Sequence, residues 1–241
     1  MTHAVIVTGA AGGIGAAVCE RLRSDGYRTI GLDIDRVRAA DIPIQIDLRD
    51  LDELAALARQ LSDVHDVSAI VHNAAVQPIA ATGQTSTSDW LDTLRVNVVA
   101  VDALVSGARL SLDANHGAIV VVSSVHAHAT TGGIGAYAAS KAALEGWVRS
   151  AALDLGPNIR VNAVSPGAID TPKLRQGFSR WGQESAEQRR AILLRRTALA
   201  RIGEPSEVAA AISFLLNQEA SFITGSVLLV DGGASARLGT E

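Results

Sequence analysis

A chain of 241 residues, 48% of them apolar but only 3% aromatic, is long enough to bury one substantial, mainly aliphatic core. Its formal charge of −4 argues against nucleic acid as a partner, and no apolar run approaches the ~20 residues of a bilayer crossing. Cys19 is the one cysteine, so no internal disulfide can form, and the N-terminus reads as no leader; the expected setting is cytoplasmic.

In chain order, short apolar runs predict strands at Ala4–Thr8, Arg28–Asp33, Ile42–Asp47, Ser68–His72, Gly117–Ser123, Arg160–Ser165 and Ser226–Val230. Helical periods fall between them at about residues 13–24, 50–62, 88–112, 136–155 and 205–217. This alternation predicts an α/β fold: one doubly wound (Rossmann) parallel sheet of about seven strands, spanning 1–241 without repeat or linker. The stretch 168–203 shows neither a firm strand nor a long helix, and is read as one elaborate loop serving as a substrate-binding lid.

The first strand runs into Thr8-Gly9-Ala10-Ala11-Gly12-Gly13-Ile14-Gly15, followed at once by a helical pattern. Glycines let backbone N–H groups approach a pyrophosphate at a helix N-terminus, and the third glycine lets helix and strand pack closely. A glycine-rich turn alone is weak; the strand before it and the helix after it give it meaning. Asp33 ends the second strand, where a carboxylate can accept from both adenine-ribose hydroxyls and would repel a 2′-phosphate. Gly12 offers no cation for that phosphate, although Arg36 and Arg38 are near enough to compensate. The reading favours NAD over NADP; the competing one is an aspartate that merely ends a strand.

Asn97 lies in the apolar helical run Leu94-Arg95-Val96-Asn97-Val98-Val99-Ala100, where a buried amide needs partners. Ser124, at the end of the 117–123 strand, would point into the crevice where doubly wound sheets hold ligands. Tyr137 and Lys141 are one helical turn apart in Ala-Tyr-Ala-Ala-Ser-Lys-Ala-Ala-Leu and share a helix face. A free phenol has a pKa near 10, so a working base at neutral pH needs about 4 kcal/mol of added preference for phenolate. A neighbouring ammonium and a cationic nicotinamide ring can supply it. Alone, such a pair is usually only a polar helix face. His126 can touch the substrate oxygen or a second hydroxyl, favouring polyols or sugars, or can bond to its own loop. Neither His126 nor His128 has companions at metal-ligand spacing, so no catalytic metal is expected.

In this order and spacing these residues resemble the classical short-chain dehydrogenase/reductase family over essentially the whole chain. Asp47-Leu48, Asn73-Ala74, Pro166-Gly167-Ala168-Ile169-Asp170-Thr171, and the C-terminal run from Gly203-Glu204-Pro205 to Val230-Asp231-Gly232-Gly233 add to the likeness. The resemblance implies that Tyr137 donates and accepts the proton, Lys141 lowers its pKa and binds the nicotinamide ribose, and Ser124 orients the substrate oxygen. It further implies that Asn97 holds a water linking Lys141 to solvent, that Asp47 and Leu48 flank the adenine, and that Asn73 and Ala74 line the ribose side. Gly9, Gly12, Gly13, Ile14 and Gly15 would cradle the pyrophosphate. Pro166, Gly167, Ile169 and Thr171 would meet the carboxamide and pyrophosphate. One departure stands out: the family's Asn-Asn-Ala-Gly is His72-Asn73-Ala74-Ala75 here, with a methyl where the backbone normally carries none.

The expectation is an NAD-dependent oxidoreductase that interconverts a small secondary alcohol and a ketone by hydride transfer, with Ser124, His126 and Tyr137 at the substrate. A 3-oxoacyl-carrier-protein-type carbonyl reductase would prefer NADPH, against Asp33 and Gly12. Sugar-nucleotide epimerases share the Tyr-Lys pair but differ in glycine spacing and need a larger C-terminal domain. A non-catalytic NAD-sensing regulator would not need the tyrosine. In the lid, Lys173, Arg175, Arg180, Arg189, Arg190, Arg195, Arg196 and Arg201 outnumber Asp170, Glu184 and Glu187, which suits an anionic substrate or else a solvated face or subunit contact. Phe178 and Trp181 would wall the pocket or anchor the lid. Apolar excess on the 88–112 and 136–155 helices, with the resemblance, predicts a homo-oligomer, a dimer of dimers.

Overall fold

The computed structural model describes residues 2–179 and 183–236, with backbone alone at 179 and 183–185. The strands are β1 (Ala4–Thr8), β2 (Arg28–Asp33), β3 (Ile42–Gln45), β4 (Val67–His72), β5 (Ala118–Val122), β6 (Arg160–Pro166) and β7 (Val227–Val230). They form one parallel sheet in the order β3-β2-β1-β4-β5-β6-β7. The helices are α1 (Gly13–Ser24), α2 (Leu51–Val64), α3 (Thr87–Leu94), α4 (Ala100–Ala114), α5 (Gly135–Leu155), α6 (Pro172–Ser179), α7 (Gln183–Arg196) and α8 (Pro205–Leu216).

Every residue of β1 and of β5 is buried, which Ala-Val-Ile-Val-Thr and Ala-Ile-Val-Val-Val can satisfy only beneath helices on both sides. One face packs against α2, α4 and α5 through Leu54, Leu104, Leu112, Leu144 and Val148. The other packs against α1 and α8 through Val18, Leu22, Val208 and Ile212. Local chemistry starts the helices: Asp50 caps α2 by accepting from Glu53 N–H, Ser86 caps α3, and Pro205 with the Glu204/Glu207 capping box starts α8.

Three expectations need correction. The third strand stops at Gln45, because Asp47 instead heads a turn whose carbonyl accepts from Asp50 N–H, leading into α2. The helix expected over 88–112 is broken by a π-helical turn, Arg95–Val99, between α3 and α4. The 168–203 segment is not a loop but two helices, α6 and α7, closed at their base by the Ile169–Gly203 bridge. Arg180 and Trp181 lie outside the described residues, as does the side chain of Glu184.

Candidate active site

The strand order places β1 beside β4, so chain connections leave in opposite directions at that point and a crevice opens at the C-terminal strand ends. Gly9 and Asn73 directly follow β1 and β4, Ser124 comes two residues after β5, and Asp33 and Pro166 end β2 and β6. The first turn of α1 has Gly12 as its cap with no side-chain hydrogen bond, leaving its N–H groups open to a ligand. A Cβ on Gly15 would stand 2.0 Å from the Gly9 carbonyl oxygen, so only glycine permits this helix–strand approach. Gly9 has φ +67, and a Cβ there would lie 2.7 Å from Asn73 Nδ2. Asp33 is held at the mouth of this cradle, accepting from Ala11 N–H at 2.9 Å and Asp35 N–H at 3.0 Å. Thr171 closes the far side, its methyl 3.0 Å from where a Cβ on Gly13 would stand. An open helix N-terminus, glycines that no Cβ can replace and a carboxylate at the rim fit a dinucleotide. Leu48 is buried near this end, and Asp47 is ion-paired to Arg49, which also reaches Asp92 at 3.4 Å.

The β1 and β4 ends are locked by Thr8, whose role the sequence did not disclose. Its Oγ1 accepts from Asn73 N–H at 3.0 Å and Ala74 N–H at 3.1 Å and lies 3.0 Å from His72 Nδ1. With both lone pairs engaged, the Thr8 hydroxyl donates to Nδ1, and the histidine proton sits on Nε2. His72 is fully buried, with Nε2 facing the Val96 and Asn97 carbonyls but within hydrogen-bonding geometry of neither. Burial, helped by the Lys141 charge, pushes its pKa down to about 3, so it is neutral. Asn73 Nδ2 donates to the Thr8 and Gly9 carbonyls at 3.2 and 3.1 Å. Ala75 is accommodated without strain: among the described non-glycine residues only His116 and Ala200 have positive φ.

The sequence-predicted quartet converges beside the cradle. The Ser124 hydroxyl lies close enough to the Tyr137 phenol to lower its pKa, and its oxygen accepts from His126 N–H at 3.3 Å. Lys141 is 1% exposed; its Nζ donates to the Val122 carbonyl at 2.6 Å and lies 5.6 Å from the Tyr137 ring centroid. Burial, with the charge of Lys173, pulls its pKa down to about 7. The phenol is pushed above its ordinary 10 by burial, which outweighs the Ser124 hydrogen bond. Asn97 is fully buried in the π-helical turn, a distortion common at functional sites. Its Oδ1 accepts from Val76 N–H at 2.8 Å, and Nδ2 donates to the Val76 carbonyl at 3.0 Å and Ser140 Oγ at 2.9 Å. Ser140 in turn donates to the Tyr137 carbonyl at 2.7 Å, so Asn97 braces the turn of α5 that carries the phenol.

The two histidines part ways. His126 stands edge-on to the Tyr137 ring, centroids 6.1 Å apart, with Nδ1 3.2 Å from Thr130 Oγ1. His128 pairs with the buried Glu145 at 2.6 Å, and Ser123 Oγ donates to that carboxylate at 2.7 Å. Glu145 continues the Tyr137–Lys141 helical spacing by one more turn, a signal visible in the sequence but not used. Lys173 on α6, read from the sequence only as one of the lid cations, brings its Nζ to 5.4 Å from the Tyr137 centroid. Arg175 is turned instead onto Asp170, and Arg201 onto Glu207. Those pairs, with Phe178, line a cavity of about 1090 Å³ between α6, α7 and the start of α8, which contains none of the quartet. Phe178 thus walls this cavity, away from the quartet. Among the described residues no three His, Cys, Asp or Glu gather as a metal site.

Such an arrangement can hold a carbinol oxygen between a hydroxyl and a phenol, exchange its proton, and place its carbon beside a nucleotide cradle. Residues 9–235 match the family model described as enoyl-(acyl carrier protein) reductase. Cyclopentanol dehydrogenase of Comamonas sp. is 34% identical, covering 96% of each chain. The 3-oxoacyl-(acyl-carrier-protein) reductase of Thermotoga maritima is 32% identical over 95% of this chain and 96% of its own. The ligand-free structure of Thermoplasma acidophilum aldohexose dehydrogenase superposes with a TM-score of 0.94 at 34% identity, covering 100% of this chain and 96% of that one. The chain belongs to the short-chain dehydrogenase/reductase family, nicotinamide-using oxidoreductases that act on alcohol and carbonyl groups.

Proposed function

We propose that the protein is an NAD-dependent dehydrogenase that interconverts a small secondary alcohol and its ketone, with Tyr137 as general acid/base. The observation that carries this reading is the meeting of the Tyr137 phenol, the Ser124 hydroxyl and the Lys141 ammonium beside the glycine cradle. NAD rather than NADP is supported by Asp33, fixed on Ala11 N–H where a 2′-phosphate would bring like charge against it. When bound, the cofactor supplies the hydride acceptor or donor and, oxidised, a positive charge near the phenol.

The chain's own residues do the rest. Ser124 holds the substrate oxygen against Tyr137, which gives or takes the proton. With its pKa raised by burial, the phenol is a ready donor; as a base it needs added positive charge, the part this reading gives to the Lys141 ammonium 5.6 Å from the ring centroid. Asn97 braces α5, and a remaining Oδ1 lone pair can hold a water on the route from Lys141 to solvent. Gly9, Gly12, Gly13, Ile14 and Gly15 take the pyrophosphate, Asp47 and Leu48 the adenine end, Asn73 and Ala74 the ribose side. Pro166, Gly167, Ile169 and Thr171 take the carboxamide end. His126 joins Ser124 and Tyr137 at the substrate. A cytoplasmic setting suits the single buried thiol, Cys19; no helix among the described residues is long and apolar enough to cross a membrane.

The test is turnover of an alcohol and ketone panel with each cofactor, alongside Tyr137→Phe. NAD should be preferred, and the variant should lose about 10²–10⁴-fold in kcat while binding NADH nearly unchanged. A strong NADPH preference would overturn the cofactor assignment, and a fully active Tyr137→Phe the acid/base role.

A further inference from the structure

We propose that Glu145 is a positioning residue for the substrate side of the site: its one buried carboxylate, through Ser123 and His128, pins both ends of the turn that presents Ser124 and His126. This rests on the reading that Ser124, His126 and Tyr137 meet the substrate. Glu145 follows Lys141 on α5 by one helical turn, as Lys141 follows Tyr137, so the three share a helix face. It is 2% exposed, and its two oxygens take donors from either side of Ser124. One accepts from Ser123 Oγ at 2.7 Å, the other from His128 Nε2 at 2.6 Å.

Between those two anchors the chain leaves the sheet. Ser123 is still bound to it, its N–H donating to the Val164 carbonyl at 2.8 Å. The 3₁₀ turn Val125–Ala127 then closes on itself: Ala127 N–H donates to the Ser124 carbonyl at 2.9 Å, and His128 and Ala129 N–H to the Val125 carbonyl at 3.1 and 2.9 Å. Those bonds are all local, and set the shape of the turn rather than its place over the site. The bond from His128 to Glu145 reaches across to α5 and sets the place. It holds His126 N–H on Ser124 Oγ and the His126 ring edge-on to Tyr137. A carboxylate taken out of water is costly unless its oxygens are bonded, so losing either donor strands charge in the interior. The His128 side chain, 62% exposed, reaches inward from the solvent side, and its Nε2–H can donate from the neutral ring as well as from the cation.

Glu145→Leu keeps the bulk and removes both bonds, while Ser123 Oγ retains the Lys141 carbonyl, 3.4 Å away, as an acceptor. An apolar side chain in place of a buried carboxylate often leaves stability unchanged or raises it, so Tm should not fall. His128→Ala removes one donor, and His128→Gln restores an N–H within reach. Amide hydrogen exchange, read by mass spectrometry, is compared across these variants with thermal melts and with kinetics on the alcohol that wild type turns over fastest. Glu145→Leu and His128→Ala should each speed exchange at Ala127, His128 and Ala129 by about tenfold while leaving the sheet amides unchanged. Each should lower kcat/KM for the alcohol by about tenfold without moving the KM for NAD. His128→Gln should keep most of the activity, and Glu145→Leu with His128→Ala should lose no more than Glu145→Leu alone. Unchanged exchange in the turn, unchanged kcat/KM, a raised KM for NAD, or a Glu145→Leu that loses activity only by melting would each overturn the assignment while leaving Tyr137 in place. Turnover surviving in Tyr137→Phe would instead sink the acid/base reading on which this inference rests, whatever the exchange shows.

Discussion

At Lys141 catalysis and folding pull in opposite directions. A side chain 1% exposed, with one hydrogen bond to the Val122 carbonyl, is an ammonium stripped of its hydration. Its pKa therefore falls from 10.5 to about 7. Below about pH 7 the group is protonated in folded and unfolded chains alike, and the folded chain bears the full cost of a buried charge. Between about 7 and 10.5 the unfolded chain holds a proton that the folded one has released, so this group makes stability rise with pH. Lys141→Met should remove the cost. Near pH 6.5 we expect a gain of about 1–2 kcal/mol, or roughly 2–8 °C in Tm, together with loss of turnover. The gain should shrink as the pH approaches 10.5. Thermal melts of both proteins at about pH 6.5 and 9.5 check this; a variant no more stable at the lower pH would show that the ammonium is better solvated than its burial indicates.

Whether an element's partners are local or distant in the chain decides what could be read at the level of elements. β1 and β5 were plain because an unbroken Val/Ile run has one stable use, and α1 because glycines precede it and apolar period follows. Tyr137, Lys141, Ser124 and Asn97 were legible as residue types at fixed spacings. The π-helical turn was not, because Arg-Val-Asn-Val-Val continues an ordinary helical period and its stabilising partners, Val76 and Ser140, are remote in sequence. For α7 the reason is different: Gln-Glu-Ser-Ala-Glu-Gln-Arg-Arg-Ala-Ile-Leu-Leu-Arg-Arg has no clean apolar stripe to announce a helix. Nor does sequence order reveal that Lys173 reaches Tyr137 while Arg175 turns away. The π-helical turn invites a test of its own. Asn97→Ala leaves the Val76 N–H and carbonyl unpaired and removes the donor to Ser140, which should cost about 2–4 kcal/mol. Because Ser140 holds the Tyr137 carbonyl, kcat should fall by more than the KM for NAD rises. Urea melts and steady-state kinetics measure both; unchanged kcat in a destabilised variant would confine Asn97 to packing.

Across the whole molecule, the helical layers that bury one side leave apolar residues on the other. Leu110 on α4 is 85% exposed and Leu153 on α5 is 84% exposed, although both helices pack their inner faces on the sheet. These helices are joined by Trp147 Nε1 donating to Asp102 at 3.0 Å, so their outer faces form one layer. Apolar residues are also exposed toward the end of the chain: Leu228 and Leu229 on the edge strand β7, Phe214 on α8 and the fully exposed Phe222 between them in sequence. β7 is an edge strand, and an uncovered apolar edge invites pairing with another copy. Were each of these surfaces to close on a second copy by a two-fold, the two together would build a dimer of dimers. Wild type should therefore sediment as a tetramer. Leu110→Glu with Leu153→Glu should stop assembly at one dimer, and Phe222→Asp with Leu229→Asp at the other; all four together should give monomers. Since the quartet and the glycine cradle lie within one chain, the dimeric variants should keep turnover to within about tenfold. Sedimentation velocity beside activity decides it: a monomeric wild type, or a tetramer indifferent to all four charges, would leave these apolar faces without the role assigned to them.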